Sequence, residues 1–206
     1  MKKVLGIVLG LLVFGVVAVG ISGCSSYNGF VQAKQEVDRQ WAQVETVYQR
    51  RLDLIPNLVK TVEGAANFER SVLKEVTEAR ASVGQVKVTP GQAPATAQEL
   101  AQFQQAQGAL SSALSRLLVV SEKYPDLKAT AAFRDFQVQL EGTENRIAVA
   151  RQDFNQSVQR YNTVVSKFPG MIVARLTGFT TRPYFQSDPG AAKAPKVEFN
   201  LGKPAQ

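Results

Sequence analysis

The chain has 206 residues, 24 Lys and Arg against 17 Asp and Glu, and a formal net charge of +7. It has no His and a single Cys, Cys24, which removes the usual general base, the commonest transition-metal ligand, and any intrachain disulfide or Cys/His dyad. The length suits one domain with a terminal appendage. The basic residues are scattered, with no stripe interleaved with aromatics, so nucleic acid is a poor match as partner.

Met1-Lys2-Lys3 precede an apolar run from Val4 to Ile21 that holds no charge and no Pro. Its length is at the threshold for spanning a bilayer, and the lysines favour a cytoplasmic N-terminus, which puts the bulk of the chain outside the cytoplasm. The run ends in Ile21-Ser22-Gly23-Cys24, which resembles a bacterial lipobox: an aliphatic residue, two small residues that admit a peptidase, and a thiol that takes the lipid. Two anchors are therefore open, a lipoprotein acylated at Cys24 and a single-pass helix retained over 4–21. The first is preferred, and both give the same topology.

From Tyr27 the apolar positions step by three and four: Tyr27, Phe30, Val37, Trp41, Val44 and Tyr48, with Lys34 in register. This predicts a first helix that follows almost directly on the anchor. Pro56 removes an interior helix donor and biases Ile55 away from the α region, so a break over Asp53–Asn57 is expected. The alternative is one helix that kinks through Pro56 and turns back near Gly64–Asn67. A second helix then carries Ile55, Leu58, Val62, Val72, Val76 and Val83 inward. Gly84–Gln98 is rich in Gly, Pro, Ala, Gln and Thr and reads as a mobile loop. A third helix is expected from about Glu99 to Lys123. Tyr124-Pro125-Asp126 punctuates the next turn, with Thr130 as a candidate cap. The longest seam runs from Phe133 to Phe168 and alternates large residues (Phe133, Leu140, Ile147, Phe154, Tyr161, Phe168) with small ones (Thr143, Ala150, Ser157); it predicts a helix of roughly 50 Å. Pro169-Gly170 stops it, and the remainder reads as extended or irregular; its Phe179 and Tyr184-Phe185 are expected to pack on the base of the bundle, the alternatives being the lipid interface or a partner bound by strand addition.

The expected fold is all-α: an antiparallel up-down four-helix bundle with an N-terminal membrane-anchor or signal helix and an irregular C-terminal tail. The segments are 1–24 as anchor, 25–170 as bundle and 171–206 as tail. Arg50–Pro56 and Tyr124–Thr130 are expected together at the end of the bundle far from the membrane.

Arg51 falls on the seam, where a charge must be paired or reach the bundle end. Arg50, Arg51, Asp53, Tyr124 and Asp126 therefore form either a distal binding patch or an ion-pair and capping network, and the structural reading is preferred. Glu141-Gly142-Thr143-Glu144-Asn145-Arg146 is the most polar part of the last helix. Gly142 costs about 1 kcal/mol relative to Ala there, which suggests close approach of a neighbouring helix. Glu141 and Glu144 are expected to bond Arg51, Arg146 or an adjacent helix. A di-metal site in a bundle needs Glu-x-x-His pairs or several inward carboxylates, so no catalytic residue, cofactor or metal is assigned.

Several stretches together resemble the LemA family: Tyr27-Asn28-Gly29-Phe30-Val31, Trp41, Arg50 through Val59, Ala79-Arg80, Tyr124 through Leu127, Glu141 through Ala148, Tyr161-Asn162, Phe168-Pro169-Gly170 and Pro183-Tyr184-Phe185. The resemblance covers nearly everything after the anchor. It implies an N-terminal membrane anchor, a helical bundle outside the cytoplasm and no established enzymatic activity; the family usually carries a plain single-span anchor, and the lipobox departs from that. The expected function is a non-catalytic envelope scaffold or adaptor that meets membrane lipid through its anchor and binds other proteins. The alternatives are a lipid- or polyanion-binding envelope protein and, less favoured, a carboxylate-based hydrolase.

Overall fold

The computed structural model describes residues 2–64, 68–86 and 89–186, with side chains at 10, 23 and from 25 onward. The anchor expected over 4–21, the lipidation of Cys24 and the last part of the tail, 187–206, lie outside the described residues or side chains. Among the described residues there is no strand, and no helix is long and apolar enough to cross a membrane.

Among the described residues six helices follow in order: α1 (Lys2–Glu63), α2 (Arg70–Gly84), α3 (Ala97–Ser121), α4 (Pro125–Ala129), α5 (Ala131–Ser166) and α6 (Gly170–Thr177). The expected break at Asp53–Asn57 does not exist. α1 runs unbroken through Pro56 and keeps its seam, with Val37, Trp41, Val44, Tyr48, Arg51, Ile55, Leu58 and Val62 all buried. Proline leaves the carbonyl four residues earlier without its helical donor. That carbonyl belongs to Leu52, and Arg80 of α2 donates its Nε to it at 3.4 Å. A distant side chain thus supplies what the local sequence lacks. The reversal comes instead after Glu63, where Phe68 packs on Tyr124 with ring centroids 4.9 Å apart.

Cross-helix contacts fix the directions. Arg51 pairs with Glu144 and Trp41 meets Phe154, so α1 and α5 are antiparallel. Arg116–Glu75 at 3.0 Å and Lys123–Glu69 at 3.4 Å make α2 and α3 antiparallel. Two helix starts follow the residues that cap them. Thr96 and Glu99 form a reciprocal capping box on α3, and Thr130 accepts the amide of Phe133 on α5.

The loop before α3 is pinned rather than loose. Gly91 N donates to Glu45 Oε2 and Ala93 N to Asp38 Oδ1, each at 3.0 Å. α5 ends at Ser166, short of the expected Phe168, which lies beyond extended Lys167 and is 78% exposed; within the helix the small-residue row passes from Ser157 to Val158 and Val165. Over that length a true helix drifts away from a strict seven-residue repeat. The tail is not wholly irregular either, because 170–177 form α6 across the base of α1 and α5. A Cβ at Gly170 would come within 2.9 Å of the Val164 carbonyl and 3.2 Å of the Phe30 ring, so only glycine lets α6 approach. Gly142, by contrast, is exposed with nothing within 4 Å of a built Cβ; the expected helix approach is absent and nothing in the structure explains the glycine.

Candidate functional site

The eight polar residues singled out from the sequence separate into four places. Tyr124 and Asp126 sit at the far end with Thr61 and Gly64. They do not meet Arg50–Pro56, because α1 continues past those residues to Glu63.

Arg51 lies mid-rod, 2% exposed. Its Nη1 donates to Ser111 Oγ at 2.8 Å and to Glu144 Oε1 at 3.1 Å. Its Nη2 donates to the backbone carbonyl of Gln107 at 3.3 Å and, in a very short contact, to the Gln107 side-chain oxygen. The guanidinium also lies 5.0 Å from the centre of the Tyr48 ring. Its Nε is buried without a hydrogen-bond partner among the described residues. With buried Gln107 and Thr143, Arg51 forms a polar layer across α1, α3 and α5. This layer divides the interior into an aromatic-rich cluster toward the N-terminal end and an aliphatic one beyond it. Such a layer penalises any register that moves the charge off its partners.

Arg50, Asp53 and Arg146 line an open groove of about 1040 Å³ between α1 and α5, which also holds Thr46, Val149 and Asp153 and is bordered by Pro90-Gly91. Glu141 and Glu144 face the opposite side, in a groove of about 450 Å³ between α3 and α5 with Ser111, Leu118 and Gln137. Glu144 turns to Arg51 rather than to Glu141. Among the described residues no group of three His, Cys, Asp or Glu side chains is placed to hold a metal ion.

One site is only partly legible in the sequence: the expected packing of the tail aromatics is met by Phe185 and Phe179, but the clamps that hold the segment are not expected from it. After α6, residues 178–186 climb back along the bundle as a strap. Asn162 and Asn155 of α5 each bond both the amide and the carbonyl of one strap residue, Arg182 and Phe185 respectively. Tyr161 donates its hydroxyl to Thr180 O at 2.8 Å; burial pushes its pKa above the usual 10.0. Phe185 enters a cage of Trp41, Phe103 and Phe154. The available signal was two asparagines seven residues apart, each directly following an aromatic seam residue, Phe154 or Tyr161.

Residues 40–199 match the LemA family. Over 196 aligned residues the chain is 28% identical to magnetosome protein MamQ 2 of Paramagnetospirillum magneticum, covering 86% of this chain and 71% of that protein. Against magnetosome protein MamQ of Magnetospirillum gryphiswaldense it is 26% identical over 202 residues, covering 89% and 73%. Protein LemA of Metamycoplasma hominis is 21% identical over 160 residues, covering 78% and 68%. The buried seams, the Arg51 layer and the strap are therefore those of a chain that belongs to the LemA family.

Proposed function

We propose that the chain is a non-catalytic scaffold of the bacterial cell envelope: an up-down four-helix bundle held at a membrane by its N-terminal segment, with the bulk of the chain outside the cytoplasm, binding other proteins. One observation carries this reading. The buried charge, Arg51, is bonded to Ser111, Gln107 and Glu144, so the polar interior is committed to holding helices in register. The broad groove between α1 and α5 remains as a surface for partners. The relatives the chain aligns with include proteins named for the magnetosome. Photo-cross-linking from Thr46 and Val149 in intact cells tests it, with exposed Val138 as control. The groove probes should trap a reproducible set of envelope proteins that the control does not. Identical or empty profiles overturn the reading.

A second reading, lipid contact, is favoured by α6 and the turn before it. Phe168, Met171, Ile172 and Leu176 are exposed, Leu176 to 82%, beside exposed Lys167 and Arg175. This apolar and basic patch packs beside Phe30, six residues beyond Cys24, where it would meet headgroups. Flotation with anionic vesicles should be lost on Leu176→Asp combined with Ile172→Asp, and should weaken as salt rises.

A further inference from the structure

The strap is held by a repeat that matches its ligand. Asn155 and Asn162 stand seven residues apart on α5, a rise of about 10.5 Å. Arg182 and Phe185 stand three apart in extended chain, about 10 Å. At the first rung, Arg182 N donates to Asn162 Oδ1 at 2.7 Å and Asn162 Nδ2 to Arg182 O at 2.9 Å. At the second, Phe185 N donates to Asn155 Oδ1 at 2.9 Å and Asn155 Nδ2 to Phe185 O at 3.1 Å. Arg151 and Gln104, from α5 and α3, then both donate to the carbonyl of Gln186. These contacts address main chain only, so they would hold any extended segment.

Selectivity comes from the anchor. The Phe185 side chain is 6% exposed. Its ring centre lies 5.3 Å from that of Phe154 and 6.0 Å from that of Trp41, nearly parallel to the latter. The Arg151 guanidinium lies 4.9 Å from its centre. Main-chain clamps with one aromatic pocket are the chemistry of an extended-peptide receptor. The occupant hangs from α6 through Gly178, which has φ +79°. A change at that residue re-aims the strap and leaves α6 in place.

We infer that this groove is a receptor for the 178–186 sequence and accepts it from a second copy of the chain as well as from its own, so that copies link by exchanging straps. The occupant is a second copy, because every copy of the chain carries the segment that fits the groove. A tethered strap acts at an effective concentration on the order of millimolar. Exchange therefore competes with self-docking only where copies crowd to a comparable local concentration, as on a membrane surface. The inference deepens the scaffold reading by naming one partner, and it fails separately: the cross-links to other envelope proteins described above do not depend on it.

The test uses two full-length variants in detergent. Phe185→Ala keeps the groove and loses the anchor; Asn155→Ala with Asn162→Ala keeps the strap and loses the clamps. Tagged Phe185→Ala protein should capture the double variant, and neither variant should capture itself. A peptide of residues 178–186 should shift the emission of Trp41, the only tryptophan, in Phe185→Ala protein. It should bind at least tenfold more weakly when it carries Phe185→Ala or when the receptor lacks both asparagines. Helical circular dichroism controls for folding, with Phe185→Leu as the companion if Phe185→Ala loses it. Absence of capture, or equal binding of the Phe185→Ala peptide, overturns the inference. Peptide binding without capture overturns exchange and assigns the groove to a foreign peptide.

Discussion

The two halves of the bundle share α1 and α5 but close their cores differently. Beyond the Arg51 layer, α2 and α3 complete the walls, and the filling is mainly aliphatic: Ile55, Leu58, Val72, Val76, Leu110, Leu114, Leu117 and Leu140. On the near side α2 is missing, since it ends at Gly84. Its place is taken by the pinned loop at Ala93, by α6 and by the strap, and the filling is aromatic: Phe30, Trp41, Tyr48, Phe103, Phe154, Tyr161 and Phe185. Where no fourth helix closes the wall, rings from α1, α3 and α5 (Trp41, Phe103, Phe154) close on Phe185 of the strap instead. The far half is therefore a product of periodicity, and the near half depends on particular side chains reaching particular backbone atoms.

The largest effect that tests this division is Trp41→Ala, which should cost about 3–5 kcal/mol. Amide hydrogen exchange should show protection lost first around Trp41 and the strap; equal loss at Val72 and Val76 would merge the halves into one cooperative unit. Arg51→Ala comes next, at about 3 kcal/mol by denaturant unfolding, because buried Gln107 loses its partner. Glu144→Gln should cost under about 1 kcal/mol, since the Glu144 side chain is 43% exposed. A cost for Glu144→Gln matching that of Arg51→Ala would make the ion pair, not the buried layer, the divider.

Pro56→Ala should stabilise the far half by about 1–2 kcal/mol in the same assay, since the Leu52 carbonyl regains a backbone donor. In that background, Arg80→Ala should have no further effect. The smallest effect concerns the near half alone. The buried Tyr161 hydroxyl has its pKa raised above 10.0, so the unfolded chain loses this proton first. Its contribution to stability is present below pH 10.0 and is lost as pH rises through the higher folded value. Tyr161→Phe should remove that part of the alkaline loss, read from unfolding midpoints across that range.

Much of the far half was legible in the sequence, because spacing alone specifies helices that bury one face. Even the error at Pro56 had its remedy in view. Tyr48, Arg51, Ile55, Leu58 and Val62 continue the three-and-four stepping through the proline without slip, while a local rule argued for a break. The rule failed because Arg80, 28 residues later in the chain, bonds the orphaned carbonyl, and no local pattern announces such a contact. Arg51 stood out as a charge on an apolar seam, yet its partners Gln107 and Ser111 could not be named, since ordinary polar residues carry no mark of which helix they will face. The clamps on the strap were hidden for the same reason, although packing of Phe185 was the expected reading of the tail aromatics. Asn155 and Asn162 read as flanking polar positions until the chain folds back and supplies the backbone they grip. α6 was missed because two turns are too few for periodicity to emerge from Met171-Ile172-Val173.

The unbroken course of α1 has a mechanical consequence. A helix of 62 residues is about 93 Å of stiff rod, with no swivel between its first turns and the aromatic cage at Trp41. With the 4–21 helix retained rather than cut before Cys24, whatever sets the tilt and azimuth of the first twenty residues sets those of the groove, the base helix and the strap as well. Neighbouring copies would thus present these surfaces at a shared angle, like teeth on one comb.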